Sequence, residues 1–236
     1  MSTRERTPAL SAEEIHVWRI PLAAGDSGVL SEDERRRADR FRFEPDRIRF
    51  IAARSALRQI LGEYLETRPQ SLEFSYAAKG KPELAGAHGT SAIRFNLSHS
   101  RDLALLGVTR GYRIGVDVEF MDSERAGEQI AERFFSAMEV GTLRALPANE
   151  KLRAFFQCWT RKEAYVKAIG GGLSIPLRSF DVAFGPGVAP AILRAHDSAE
   201  GARRWSVYDV NAGPEYAAVV VAEGQGRTVL LHNWNN

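Results

Sequence analysis

Cysteine is almost missing from this chain: Cys158 is the only one among 236 residues. A single thiol excludes an internal disulfide and a cysteine-rich zinc site. Its neighbours Phe155, Phe156 and Trp159 mark it as a buried core residue. Long apolar runs are also missing, since none approaches the ~18 residues that span a membrane. The opening Met-Ser-Thr-Arg-Glu-Arg lacks the apolar core of a signal peptide, so the expectation is a cytoplasmic protein with no membrane partner. Gly-x-x-x-x-Gly-Lys-[Ser/Thr] does not occur, which removes the P-loop, and Gly-x-Ser-x-Gly does not occur, which removes the serine nucleophile elbow. Charge of one sign is not in excess: the formal net charge of +2 makes no demand for a nucleic-acid partner.

What remains is an ordinary globular composition, 44% hydrophobic and 26% charged. Charge is nevertheless clustered. Arg35, Arg36, Arg37 and Arg40 are followed by Arg42, Arg47, Arg49, Arg54 and Arg58. Such a run reads either as a solvated helix face or as a partial cradle for a polyanion, because arginine grips phosphate with two parallel hydrogen bonds.

Ile15–Pro21 alternates and reads as a strand. Ser31 with Glu34 forms a capping box, and an apolar stripe from Ile48 to Leu61 predicts a helix ending near Leu65. Short strands follow at Leu72–Tyr76, Ile93–Leu97 and Leu103–Val108, with a Lys79-Gly80-Lys81-Pro82 turn between the first two. Helices are expected over Gln129–Phe135, Ala137–Leu146 and Lys151–Ile169, then strands at Phe180–Phe184, Trp205–Val210 and Tyr216–Val221. The order of elements recurs about a split near Gly111, so the fold class is α+β with an antiparallel sheet in each half.

Ile114-Gly-Val-Asp-Val-Glu119 alternates apolar and acidic residues, which places Asp117 and Glu119 on one face of a strand. Trp159-Thr-Arg-Lys-Glu-Ala-Tyr-Val-Lys167 is helical, with Glu163 and Lys167 sharing a face. Together they offer three carboxylates beside a lysine, a donor set suited to Mg²⁺ and a substrate phosphate. The alternative is a solvated strand face and a surface ion pair, with Arg161 and Lys162 fitting the same bland picture. Ser98, His99 and Ser100 at a strand end can donate hydrogen bonds to an oxyanion. Lys79 and Lys81 in their turn are either solubilising residues or a phosphate wrap. Ser136 and Glu139 form a second capping box; beside a metal site, Glu139 would instead accept a proton from an attacking hydroxyl.

The combination resembles the Sfp-type 4′-phosphopantetheinyl transferases. The resemblance is carried by Gly80-Lys-Pro82, Asn96-Leu-Ser-His-Ser100, Ile114–Glu119, Arg133-Phe-Phe-Ser136, Trp159–Lys167 and Gly172-Leu-Ser-Ile-Pro176, and spans roughly Arg35 to Phe184. It implies transfer of phosphopantetheine from coenzyme A to a serine of an acyl or peptidyl carrier protein, of fatty-acid, polyketide or nonribosomal-peptide type, with release of 3′,5′-ADP. It also implies a pseudo-dimer of two similar α+β halves: residues 1–111, binding the nucleotide, and residues 112–236, with the metal site and the carrier-docking surface. Asp117, Glu119 and Glu163 would hold Mg²⁺, with Mn²⁺ as the alternative ion. Lys167 would meet the α-phosphate side, and Ser98 and His99 the phosphates of the nucleotide. Lys79, Gly80, Lys81 and Pro82 would border the adenine and 3′-phosphate; Arg49 would reach that phosphate with Arg37 or its neighbour Arg36, and Lys162 would assist. Glu163, Lys167 and Glu139 are the catalytic candidates. The family often has two lysines before its Arg-Phe pair, where this chain has Glu34 and Arg37. A monomer is expected, because one chain supplies both walls of the cleft. Two competing readings are a metal-dependent nuclease or phosphodiesterase and a basic nucleic-acid-binding module.

Overall fold

The computed structural model describes residues 8–76, 81–195 and 200–235. The first half runs β1 (Glu14–Pro21), α1 (Glu32–Ala38), α2 (Glu44–Tyr64), β2 (Phe74–Tyr76), β3 (Pro82–Leu84), β4 (Ile93–Ser100) and β5 (Leu103–Arg110). The second runs β6 (Ile114–Phe120), α3 (Glu128–Phe134), α4 (Ala137–Ala145), α5 (Ala148–Ile169), β7 (Asp181–Ala183), β8 (Ala191–Arg194), β9 (Trp205–Asp209), β10 (Tyr216–Glu223) and β11 (Thr228–Asn233). Each half thus begins with a strand, continues through helices and ends in strands, and the molecule is α+β.

Two principal sheets form, in the orders β11-β1-β5-β4 and β6-β10-β9. The expected division needs one correction. The final strand β11 leaves the second half and pairs parallel with β1, from Glu14↔Thr228 to Arg19↔Asn233. The first sheet is therefore mixed rather than antiparallel, and residues 228–233 belong to it despite their place in the chain. The physical reason is burial: Trp234 follows the strand into the core between this sheet and α2, against Trp18.

Three apolar layers result. One lies between the first sheet and α2, built on Trp18, Ile20, Leu57, Ile60 and Leu106. A second packs α5 against the other sheet through Phe155, Ala164, Tyr165, Val219 and Val221. The third is shared, with Ile15, Val17 and Leu105 facing Val116, Val118 and Val220. Strands with both faces buried read as continuous apolar runs, as Leu103–Val108 does.

Both capping boxes form as their sequences predict, at Ser31/Glu34 and Ser136/Glu139. Glu34 does more than cap α1. Its two oxygens take Arg54 Nε at 2.6 Å and Arg58 Nε at 2.5 Å, and all three side chains are buried. Two members of the arginine run are therefore structural and not a cradle. Cys158 is fully buried, and burial pushes its thiol well up.

Candidate functional site

β4 is an edge of the first sheet and β6 an edge of the second. They meet without a backbone ladder, and side chains stitch them instead. Asn96 Oδ1 accepts from Val116 N at 2.8 Å, and Ser100 Oγ accepts from Phe120 N at 3.1 Å. Between them, Ser98 Oγ donates to Asp117 Oδ1 at 2.9 Å, and Ser100 Oγ donates to Glu119 Oε2 at 2.7 Å. Residues two apart on a strand share a face, so alternate polar residues of β4 address alternate acids of β6.

Helix α5 closes over the same face because Gly115 admits it. A Cβ at Gly115 would stand 2.0 Å from Ala164 O and 2.4 Å from Ala168 N. This approach brings Trp159, Glu163 and Lys167 to the acidic strand. Lys167 Nζ donates to Asp117 Oδ1 at 2.6 Å and to Ser98 Oγ at 2.9 Å. These side chains, with Leu97 and His99, line a cleft of about 430 Å³.

The carboxylates are crowded. Burial, then the charge of Asp117, raises Glu163 above the ordinary carboxylate range; Glu119 is raised by the same two causes in the same order. Asp117 is 2% exposed, and its Oδ2 is buried with no hydrogen-bond partner among the described residues. Among the described residues no three His, Cys, Asp or Glu side chains are drawn together as an assembled metal cluster; Lys167 instead covers Asp117 Oδ1. The chemistry of the donor set fits a hard divalent cation, because three acids face one cleft and a buried carboxylate oxygen has no partner. His99 lines the cleft, where partial desolvation of its ring, then Lys167 and Arg49, holds its imidazole below the ordinary range.

A second cavity of about 250 Å³ adjoins the C-terminal end of α5, with Lys81, Pro82, Arg113, Ile114, Ile169 and Gly170 among its walls. Lys81 Nζ donates to Lys167 O at 2.8 Å and Ile114 O at 3.1 Å, pinning β3 across to the second half. Burial lowers its ammonium to about 8.

The fold therefore gathers Asp117, Glu119, Glu163, Lys167, Ser98 and His99, with Lys81 and Pro82 next door. Arg49 is held by Asp102 and Asp46 close enough for His99 to feel its charge. Arg37 lies on the exposed face of α1, its guanidinium 5.2 Å from the Phe50 ring centre. Lys79 and Gly80 lie outside the described residues.

Two expected site residues are corrected. Glu139 is 0% exposed; its oxygens accept from Ser136 N and Val182 N, both at 2.8 Å, and it is ion-paired to Lys162 at 2.7 Å. A carboxylate enclosed and satisfied in this way has no access to a hydroxyl in the cleft. Lys162 is likewise 0% exposed, and its ammonium also donates to Leu177 O and Phe180 O, so it cannot reach a ligand. Both belong to the core of the second half, as does Arg161, paired with Asp209. Conversely, Asn96 and Ser100 are site-building residues that sequence reasoning gave no such role. Their signal is the period-two run Asn96, Ser98, Ser100.

Comparison with known proteins places this site in a family. Residues 113–221 match the model of the 4′-phosphopantetheinyl transferase superfamily, and residues 25–110 match that of the 4′-phosphopantetheinyl transferase N-terminal region. The 4′-phosphopantetheinyl transferase HetI of Nostoc sp. is 40% identical over 223 residues, covering 92% of this chain and 91% of its own. The 4′-phosphopantetheinyl transferase Sfp of Bacillus subtilis is 31% identical over 156 residues, covering 65% of this chain and 66% of its own. A solved holo-[acyl-carrier-protein] synthase of Thermotoga maritima is 19% identical, with a TM-score of 0.36 over 47% of this chain and 62% of its own, a likeness too slight to argue from. The chain belongs to the 4′-phosphopantetheinyl transferase superfamily and is a transferase.

Proposed function

We propose that the chain moves 4′-phosphopantetheine from coenzyme A to a serine of an acyl or peptidyl carrier protein, converting apo carrier to holo carrier and releasing 3′,5′-ADP. The observation that carries this reading is the buried Oδ2 of Asp117, without a partner among the described residues, in a cleft that also presents two crowded glutamates and a lysine. Such a site favours a cation and a phosphate together.

Asp117, Glu119 and Glu163 would hold the divalent ion, Mg²⁺ or Mn²⁺, whose chemistry there is to neutralise the pyrophosphate oxygens. The protein's own groups do the rest. Ser98 and Ser100 aim the two acids of β6. Lys167, now on Asp117, turns to the substrate's phosphate oxygens and stabilises their developing charge. Glu163 faces the cleft one helical turn from Lys167 and accepts the proton of the incoming serine hydroxyl. The serine oxygen bonds to the β-phosphorus, the bond from that phosphorus to the bridging oxygen breaks, and 3′,5′-ADP leaves with the electron pair. His99 and Arg49 stand on the side where the nucleotide's 3′-phosphate would lie, with Arg37 further out. Lys81 and Pro82 border the adenine. The first half thus takes the nucleotide, and the second supplies the metal site and the carrier-docking surface. A monomer acting in the cytoplasm on polyketide or nonribosomal-peptide carriers completes the reading.

The test is release of 3′,5′-ADP, followed by chromatography. It should require apo carrier, coenzyme A and Mg²⁺ together. Cleavage of DNA or RNA in the absence of coenzyme A, with no nucleotide released from it, would move the metal-dependent nuclease reading to the front.

A further inference from the structure

Away from the cleft, on the face of the first sheet that packs against α2, β1 and β11 bring two histidines together. His16 and Trp18 on β1 stand beside Leu230 and His232 on β11 in the parallel register. His16 is 0% exposed and His232 is partly buried, with ring centres 4.8 Å apart. The Nε2 atoms of both are buried without a hydrogen-bond partner among the described residues. From α2, the Tyr64 hydroxyl comes within 2.6 Å of His16 Nδ1 and 3.0 Å of Trp18 Nε1. The His232 ring stacks on Trp18, with centres 4.7 Å apart and planes at 30°. On the other side of β1, β5 sets Val108 opposite His16 and Leu106 opposite Trp18. The nearby charges are Glu14 on β1, 3.6 Å from His16 Nε2, and Glu63 on α2, which acts on Tyr64.

This cluster accepts neutral rings and resists charged ones. A tryptophan N–H only donates, so the Tyr64 oxygen accepts from Trp18 and its hydrogen goes to His16 Nδ1. The proton of neutral His16 is therefore on Nε2. Charging His16 would put a second proton on Nδ1 and reverse that bond, leaving the Tyr64 hydrogen without an acceptor among the described residues. Charging His232 as well would set two cations side by side away from water. Burial is the first cause that holds both imidazoles below the ordinary range; for His16 the charge of His232 acts the same way, and Glu14 opposes it in both. As an edge strand, β11 pairs with β1 alone, and Trp234 just beyond it packs on Trp18. We propose that the His16–His232 pair is an acid-sensitive clasp: β11 lies on β1 while both rings are neutral, and protonation releases it and loosens the tie between the two halves.

The clasp is independent of the proposed function. Because both folded values are lowered, its stability is whole above the unfolded value of about 6.5 and is lost as pH falls from there toward the folded values. Hydrogen exchange of the full chain, followed by mass spectrometry at about pH 7.5 and about pH 5.5 with labelling times scaled to the intrinsic amide rate, reads the opening strand by strand. In wild type the opening of β11 should rise about tenfold for each histidine that takes up a proton, while β4 and β5 keep their protection. His16→Asn keeps an acceptor for Tyr64 and His232→Phe keeps the stack on Trp18; neither replacement titrates. The double variant should show β11 protection that does not change with pH. His232→Phe alone is the milder change and serves if the double variant does not fold; it should retain about half of the dependence on a logarithmic scale. An unchanged dependence in His232→Phe, no dependence in wild type, or equal loss of protection in β4 and β5 would overturn the inference.

Discussion

Ser100 shows how single side chains set this site. Its hydroxyl donates to Glu119 Oε2 while accepting from Phe120 N, so it fixes a carboxylate by way of the strand that carries it. Ser100→Ala keeps all three acids but frees Glu119 to turn. Removing an outer-shell partner of this kind costs about 10- to 100-fold in metal affinity. The expected outcome is a matching rise in the Mg²⁺ concentration giving half the maximal rate, with thermal stability little changed. An unaltered metal dependence would show that Glu119 is held by other means. Glu139 tests the opposite case. Glu139→Ala leaves the Lys162 ammonium buried and unpaired, which costs about 3–5 kcal/mol of stability. The rate per folded molecule should stay near that of wild type, whereas a catalytic base would lose orders of magnitude. Denaturant melts paired with active-site titration distinguish the two. From the sequence, Glu139 is ambiguous because its capping box is local, while its burial depends on Lys162 and Val182 meeting it from distant elements.

Among the elements, β6 and α5 were legible because each carries a complete period: two for the acidic strand, four for Trp159, Glu163 and Lys167. The face shared by Asp117 and Glu119 follows from strand geometry alone. What periodicity cannot supply is the neighbour. The β4–β6 stitching, and hence the role of Asn96 and Ser100, exists only once two sheets meet edge to edge. Gly115 is where that meeting is most constrained. A methyl group there would strike the backbone of α5, so Gly115→Ala should push the helix away, cost about 1–3 kcal/mol and separate Glu163 from Asp117. Stability and turnover should fall together, and full activity in this variant would contradict the close approach. Helices α1 and α2 are joined by the buried Glu34–Arg54–Arg58 cluster. Burial alone would raise the Glu34 carboxyl, but Arg54, Arg58 and the Ser31 amide outweigh it and hold it below its usual 4.5. A depressed folded value means that this stability is fully present above the unfolded value and is lost as pH falls through the folded one. The stability gap between wild type and Glu34→Gln should thus be constant near neutrality and shrink below about pH 4.5. A gap independent of pH would remove the charge from the explanation.

For the whole molecule, the α+β class was readable from the recurring order of elements. The return of β11 to the first sheet was not. A six-residue apolar–polar run near the chain end has the pattern of any strand, and its partner β1 lies at the other end of the sequence. That return ties the two halves into one body around the cleft, and the buried layer between the sheets does the same. Lys81, just before β3, adds a third tie, donating to carbonyls of β6 and α5. The site therefore belongs to neither half alone: Ser98 and His99 come from one, the acids and Lys167 from the other. The most direct test of this account is the intact mass of an apo carrier protein after incubation with the enzyme, coenzyme A and Mg²⁺, beside the same reaction with Asp117→Ala and Glu163→Ala. The expected result is a gain of one phosphopantetheine that needs the metal and disappears in both variants. A carrier modified equally by wild type and Asp117→Ala, or by wild type with Mg²⁺ removed, would contradict the central claim that these carboxylates hold the ion on which transfer depends.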